Sequence, residues 1–218
     1  IFKKIKGIIM YKLITQLGVL ALSIIFSIGI MNASEKSLTL GMQLEPPNLN
    51  PTGGAAAAID EIVYANLFEG LTRYTSDGSV VASLAKSWTI SSDGLTYTFN
   101  LNTNVLFHDG SKMDAIDVKF SLDRARSDSS TNAQKVLFKG IKNIEIITPH
   151  RLKITLEAAN GSFITNLAWG DAVIVAEESI SNAETIPIGT GPYKFLKWVK
   201  GDRVELVKNN SYWGEKIH

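Results

Sequence analysis

The 218-residue chain contains no cysteine. That absence excludes a disulfide framework, a thiolate nucleophile and a thiolate metal site. It also removes the residue that a bacterial lipoprotein needs for acylation. Net charge is nearly absent as well: 22 basic against 21 acidic residues leave +1, so there is no electrostatic footprint for nucleic acid. Histidine is scarce, and His108, His150 and His218 stand far apart in turn-like or terminal sequence. A lone histidine in a turn is a solvated or capping residue before it is a ligand, so no metal site is expected. No serine lies in Gly-x-Ser-x-Gly or beside a plausible base, and a secreted hydrolase has nothing to work with. What remains is a globular composition, 45% hydrophobic and 20% charged, long enough for one large or two small cores. Neither an enzyme nor a cofactor-bound protein is expected.

The basic residues are unevenly placed. Residues 1–33 hold Lys3, Lys4, Lys6, Lys12 and no acid, and 13–34 carry no charge at all. A basic start, an apolar run and the small Ala33 before Ser34 describe a secretory signal peptide. The run also nears the roughly 20 residues that cross a bilayer, which leaves an uncleaved anchor as the alternative. Met10 is the natural start, so the first nine residues read as upstream sequence. Cleavage after Ala33 removes four of the 22 basic residues and none of the 21 acidic ones, leaving a mildly acidic exported domain of net charge −3.

Beyond Ser34, short strands and helices alternate without repeats. Leu38–Met42 alternates like a strand. Pro46, Pro47 and Pro51 then forbid regular structure. Ile59, Ile62, Val63, Leu67 and Phe68 predict a helix over 55–69, ended by Gly70. Asp77-Gly78 and Asp93-Gly94 are hairpin turns, and Leu95, Tyr97, Phe99 and Leu101 share one strand face. Asp114 and Asp117 begin a helix over 115–126 with Val118 and Phe120 as core contacts, where a cap explains both carboxylates. A hairpin spans 143–157, a short helix 162–168, a buried strand 172–176, and a final hairpin 193–208. The architecture is α/β or α+β with a mixed sheet. Gly189-Thr190-Gly191-Pro192 lacks the Lys-Ser/Thr of a phosphate loop and reads as a turn feeding a strand. Trp88, Trp198 and Trp213 read as core. Trp169, between a helix and a strand, is a candidate cleft residue.

The order of motifs carries a resemblance. Leu67-Phe68-Glu69-Gly70-Leu71, Leu84–Trp88, Ser92–Leu101, Phe107-His108-Asp109-Gly110, Asp117–Ser121, Ile188–Phe195 and Tyr212-Trp213-Gly214 resemble, in sequence order, the bacterial extracellular solute-binding proteins of family 5. These are the oligopeptide, dipeptide and nickel-binding receptors of ABC importers. Asp114-Ala115 stands where the family usually has threonine-alanine, and both residues cap a helix. Members are more than twice as long, so the chain resembles the N-terminal lobe of a two-lobed, type II-like periplasmic binding protein with a small β-rich accessory subdomain. The implied division is a signal peptide over 1–33, the start of lobe I over 34–71, the accessory subdomain over 72–170, and lobe I continued over 171–218, ending before a second lobe.

The resemblance implies a periplasmic receptor that closes on a peptide, or a related small solute such as a nickel chelate, and delivers it to ABC permease subunits in the membrane. The alternative is a membrane-anchored single-lobe sensor or interaction domain. In the family the loop after the proline turn contacts ligand. Here that loop supplies Gly53, Gly54, Ala55, Ala56 and Ala57, whose small side chains let a peptide backbone approach and pair. The other reading of Gly53 and Gly54 is a turn before a helix capped by Thr52 or a neighbour. With Trp169, these residues are the candidate binding site.

Overall fold

The computed structural model describes residues 37–215, so the signal-peptide reading of 1–33 lies outside the described residues. Ser37–Gly41 is a separate stretch without regular structure. The expected strand over 38–42 is therefore not formed. Its alternating Leu38 and Leu40 are exposed, and a strand without a neighbour leaves its backbone groups unpaired.

From Met42 the chain packs around two hydrophobic clusters. The larger lies beneath a four-stranded antiparallel sheet. Its strands are β3 (Ala85–Ile90), β4 (Thr96–Leu101), β5 (Ile141–Thr148) and β6 (Arg151–Leu156), in the order β3-β4-β6-β5. Tyr97, Phe99 and Leu101 are buried while their neighbours on β4 are half exposed, as the alternation predicts. Phe99 stands opposite Leu152 and Tyr97 opposite Ile154, so the register puts apolar residues on one face. Helix α2 (Ala115–Arg126) covers that face with Val118, Leu122 and Ala125. It starts with a full capping box. The Ile116 N–H donates to Asp114 Oδ1 at 2.6 Å, and the Asp114 N–H to Asp117 Oδ2 at 2.8 Å. Phe120 points the other way, into the second cluster, so α2 bridges the two cores.

The second cluster joins Leu49, helix α1 (Ala57–Val63), Leu67, Phe68, Val173 and Val175 to the inner side of a hairpin, β7 (Tyr193–Val199) and β8 (Arg203–Lys208). A short hairpin, β1 (Thr72–Tyr74) and β2 (Val80–Ala82), turns at Asp77-Gly78. Helices α3 (Phe163–Asn166) and α4 (Glu177–Ile180) are single turns. The α/β character is as expected. All pairings between these strands are antiparallel, and the parallel bridge between Tyr64 and Phe68 lies outside them.

Helix α1 is much shorter than the predicted 55–69. Tyr64 leaves the helix, Ala65 adopts φ 58°, and the N–H groups of Leu67 and Phe68 both return to Val63 O at 2.9 Å. Leu67 and Phe68 are buried through this turn, not through helical periodicity. Residues 173–176 are buried as predicted but make only one bridge among the described residues, Gly70 to Val173, so they are extended chain and not a paired strand. The Ser121 hydroxyl accepts from Val175 N at 2.9 Å and donates to Asp117 O at 2.7 Å, which ties this segment to α2.

The Gly189–Gly191 segment is more than a turn. An added Cβ on Gly189 would lie 2.0 Å from Leu67 O, and one on Gly191 would lie 2.5 Å from Asn66 O, so two backbones cross in contact here. Gly191 N donates to Leu67 O at 2.9 Å, and Tyr193 N to Asn66 O at 3.0 Å. Thr190, between the glycines, donates to buried Glu69 Oε2 at 2.9 Å. The same carboxylate accepts from Trp213 Nε1 at 2.8 Å and from the Tyr212 hydroxyl at 2.7 Å. Burial raises the Glu69 pKa, and these three donors pull it back.

His108 holds the crossing from the other side. Gly189 N donates to its Nδ1 at 3.2 Å, its Nε2 donates to Gly191 O at 3.1 Å, and the Lys194 ammonium donates to its carbonyl at 2.8 Å. His108 is thus a half-buried clamp and not the solvated turn residue expected. Burial lowers its pKa from 6.5 to about 4, which fixes the neutral ring that one acceptor and one donor nitrogen require.

Two measurements check these contacts. Glu69→Ala strands three donors in the interior and should lower unfolding free energy by about 3 kcal/mol in urea titration, with Glu69→Gln losing less. The unfolded chain protonates His108 before the folded one does. Its contribution to stability should therefore fall as pH drops from 6.5 toward 4, and His108→Gln should remove that component.

Candidate functional site

The loop that enters α1 is fixed on one side and bare on the other. Pro51 and Thr52 are buried. Asn50 Oδ1 accepts from the Thr52 N–H at 3.1 Å and the Thr52 hydroxyl at 3.2 Å. Arg124 of α2 donates to the Thr52 hydroxyl, and the Thr131 hydroxyl donates to Thr52 O at 3.1 Å. Thr52 therefore anchors the loop and does not cap the helix, whose N-cap is Ala56 without a side-chain bond. Gly53 packs on Asn50, with its Cβ position 2.9 Å from Asn50 Cβ, and Gly54 takes φ 147°. Ala55 and Ala57 are exposed, while Ala56 turns inward onto the second cluster.

Trp169 stands 44% exposed at the start of a one-turn 3-10 segment, Gly170–Ala172. The segment is joined to α1 at two points. The Tyr64 hydroxyl donates to Ala168 O at 2.5 Å, and the Asp60 carboxylate lies 3.2 Å from the position a Cβ would take on Gly170. The structure thus links the glycine-alanine loop and Trp169 through α1.

Reading the sequence missed the acidic character of this junction. Asp171 is 7% exposed, and its carboxylate accepts no hydrogen bond from another residue among those described. Burial raises its pKa to about 6, with repulsion from Asp60 adding to the shift. Burial raises Asp60 too. The five ion pairs seen among the described residues involve neither. Asp60 and Asp171 are 111 positions apart, and no motif joins them.

Among the described residues no group of three or more His, Cys, Asp or Glu is placed to hold a metal ion, and no helix is long and apolar enough to cross a membrane. A shallow depression lined by Asp123, Arg126, Ser127, Asp128 and Lys139 lies at the end of α2, formed by residues other than those of the loop and Trp169.

Residues 79–218 match the family model described as bacterial extracellular solute-binding proteins, family 5 middle. The chain belongs to this family. The glutathione-binding protein GsiB of Pectobacterium atrosepticum is 37% identical over 160 residues, which are 72% of this chain and 31% of GsiB. NikZ of Campylobacter jejuni, solved with Ni(L-His), superposes with a TM-score of 0.71 at 36% identity, covering 79% of this chain and 35% of NikZ. The periplasmic binding protein DppA of Helicobacter pylori, solved with the peptide STSA, gives 0.68 at 27% identity, covering 78% and 38%. The fold is therefore that of the periplasmic binding proteins, and the chain spans about a third of the length of the relatives it matches. GsiB and DppA are named as binding proteins.

The unpaired acid gives a stability prediction. Folded Asp171 takes up its proton near pH 6 and the unfolded residue near 3.8, so its contribution to stability falls as pH rises between them. Asp171→Asn should stabilise the protein by about 1 kcal/mol at pH 7 in urea titration, and the gain should vanish by pH 4.

Proposed function

We propose that the chain supplies the first lobe of a periplasmic substrate-binding component of an ABC importer, which captures di- or oligopeptides for delivery to the membrane permease. The observation that carries this reading is the loop over 53–58. No side chain there exceeds a methyl group, Ala55 and Ala57 are exposed, and Arg124, Asn50 and Thr131 hold the Thr52 anchor in one geometry. A surface of that kind offers main-chain groups to an extended backbone and tolerates varied side chains. Trp169 supplies an exposed apolar platform next to the segment that packs on α1. Glutathione and STSA, bound by two of the relatives, are both peptides. A nickel chelate is the second solute class, supported by the likeness to NikZ.

The resemblance divides the lobe into a core over 34–71 and 171–218 and an accessory subdomain over 72–170, and the larger cluster joins the two through Leu71, Ala172, Ile174 and Ala176. Binding proceeds by closure of a second lobe onto this wall, with affinity from burial in the cleft and no covalent chemistry. Residues 1–33 direct export and are removed, and without cysteine the receptor is free in the periplasm.

An in-frame deletion of the gene in its source organism tests this. Uptake of a labelled tripeptide should be lost while amino-acid uptake persists, and the periplasmic protein should begin at Ser34. Unchanged peptide uptake overturns the peptide reading, and loss of nickel uptake alone assigns the chelate instead. Retention of residues 13–31 in the membrane fraction supports an anchored sensor.

A further inference from the structure

Glycine follows Asp or Asn at four turns, and one of the four differs from the rest. In Asp77-Gly78, Asp93-Gly94 and Asp109-Gly110 the glycine N–H donates to the carbonyl three residues back, of Thr75, Ser91 and Phe107, at 3.0, 2.9 and 2.9 Å. Asn160-Gly161 is the fourth, and the sequence holds no other Asn-Gly pair. Both residues are exposed, and nothing lies within 4 Å of the position a Cβ would take on Gly161. The Gly161 N–H makes no hydrogen bond among the described residues. The Asn160 side chain is held at one end only. Its Oδ1 accepts the Ser162 N–H at 3.0 Å, while its Nδ2 is unbonded among the described residues. The backbone oxygen of Asn160 accepts from the Tyr97 hydroxyl and from Phe163 N, both at 3.1 Å.

We infer that Asn160 is a site of spontaneous covalent modification, deamidation through a cyclic imide closed by Gly161. The Gly161 nitrogen loses its proton to hydroxide and bonds to Asn160 Cγ. The Cγ–Nδ2 bond breaks, and Nδ2 leaves as ammonia with a proton from water. Water then opens the five-membered imide at either carbonyl. Opening at Cγ gives aspartate with the original backbone, and opening at the Asn160 backbone carbonyl gives isoaspartate, with the chain routed through Cβ. One water enters, one ammonia leaves, and nothing is oxidised or reduced. The geometry provides each part. The nucleophilic nitrogen is unengaged, the Ser162 N–H points at the oxygen that gains charge, and the leaving nitrogen is unheld. Glycine adds no Cβ to obstruct the rotation that brings the nitrogen onto Cγ. The other exposed candidates lack this freedom. The N–H that follows Asn182 donates to Ile180 O at 3.2 Å, and the one that follows Asn210 donates to Asn209 Oδ1 at 3.1 Å. Isoaspartate lengthens the backbone by one carbon directly before α3 and turns the acceptor of Tyr97 and Phe163 into a free carboxylate. Phe163 is buried against Tyr97, ring centroids 4.8 Å apart, so the change loosens α3 and the chain leading to Trp169. The site stands whatever solute the lobe binds.

Peptide mapping of the full chain, kept folded for days in warm, mildly alkaline buffer, tests this. Trypsin releases residues 154–194 as one peptide, which holds Asn160, Asn166 and Asn182. That peptide should gain the mass of exchanging an amino group for a hydroxyl, and fragmentation should place the change at 160. Part of the product should be methylated by an enzyme specific for isoaspartate. Conversion should stall in mildly acidic buffer, because the attacking nitrogen must lose a proton. Gly161→Ala should slow it about tenfold, since a Cβ then hinders the rotation, and Asn160→Gln should abolish it. Asn160→Asp reproduces one product with the backbone intact and should unfold with the fresh parent. The isoaspartate fraction should unfold earlier and exchange the amides of 163–167 faster. An unchanged peptide in the folded chain, while a chain unfolded in guanidinium converts, overturns the site, because the fold then protects the asparagine. Conversion at Asn166, Asn182 or Asn210 that matches residue 160 overturns the role given to the unengaged Gly161 N–H. Equal exchange in the isoaspartate fraction and the fresh protein overturns the loosening of α3.

Discussion

Glu69 is a carboxylate held inside the protein without an ion-pair partner among the described residues, and three donors from distant parts of the chain make its burial tolerable. A buried charge is costly unless its lone pairs are occupied, and hydrogen bonds to a charged group are the strong ones. Thr190, Tyr212 and Trp213 occupy them. The geometry requires Thr190 to sit against Glu69, which requires its flanking residues to lie on the backbone of Asn66 and Leu67. Only glycine leaves room at 189 and 191. His108 then closes the other side. Four of the motifs that carry the family resemblance, around residues 69, 108, 190 and 213, are therefore one assembly around one crossing of the chain. Their recurrence in order along the sequence has a physical cause.

That assembly also positions the candidate site. The turn at Ala65 ends α1 early so that Leu67 can meet Gly191, and the same turn frees Tyr64 to reach Ala168. Asp60, one turn earlier, is thereby held against Gly170. The loop with the bare alanines, the exposed indole and the unpaired acids are set by the packing of Leu67 and Phe68 a few residues away.

Local chemistry was legible in the sequence, and long-range partnership was not. Asp77-Gly78 and Asp93-Gly94 are turns, Leu95 to Leu101 alternates as written, and Asp114 with Asp117 caps α2, because each signal is complete within a few residues. The helix over 55–69 was overextended because Leu67 and Phe68 fit a helical period while being buried by a tight turn. Leu38–Met42 has the alternation of a strand, but alternation only says which side chains share a face. Whether another strand lies alongside is decided elsewhere in the chain. For the site, the loop over 53–57 and Trp169 came from position within a resemblance. Asp60 and Asp171 could not have come from any pattern, since only the folded chain brings them together.

The two aspartates whose pKa values rise to about 6 make the distinction between structural and functional burial concrete. Asp117 is raised by burial, yet it accepts the Asp114 N–H and completes the cap of α2, so the cost of its desolvation is offset inside the fold. Asp171 carries a comparable cost, increased by Asp60, and among the described residues only its own backbone N–H offsets it. Proteins tolerate uncompensated polar burial where a ligand later supplies the missing partner, and stability is given up at such positions. A hydrophobic residue or an asparagine at 171 would serve the fold better than the acid that is there.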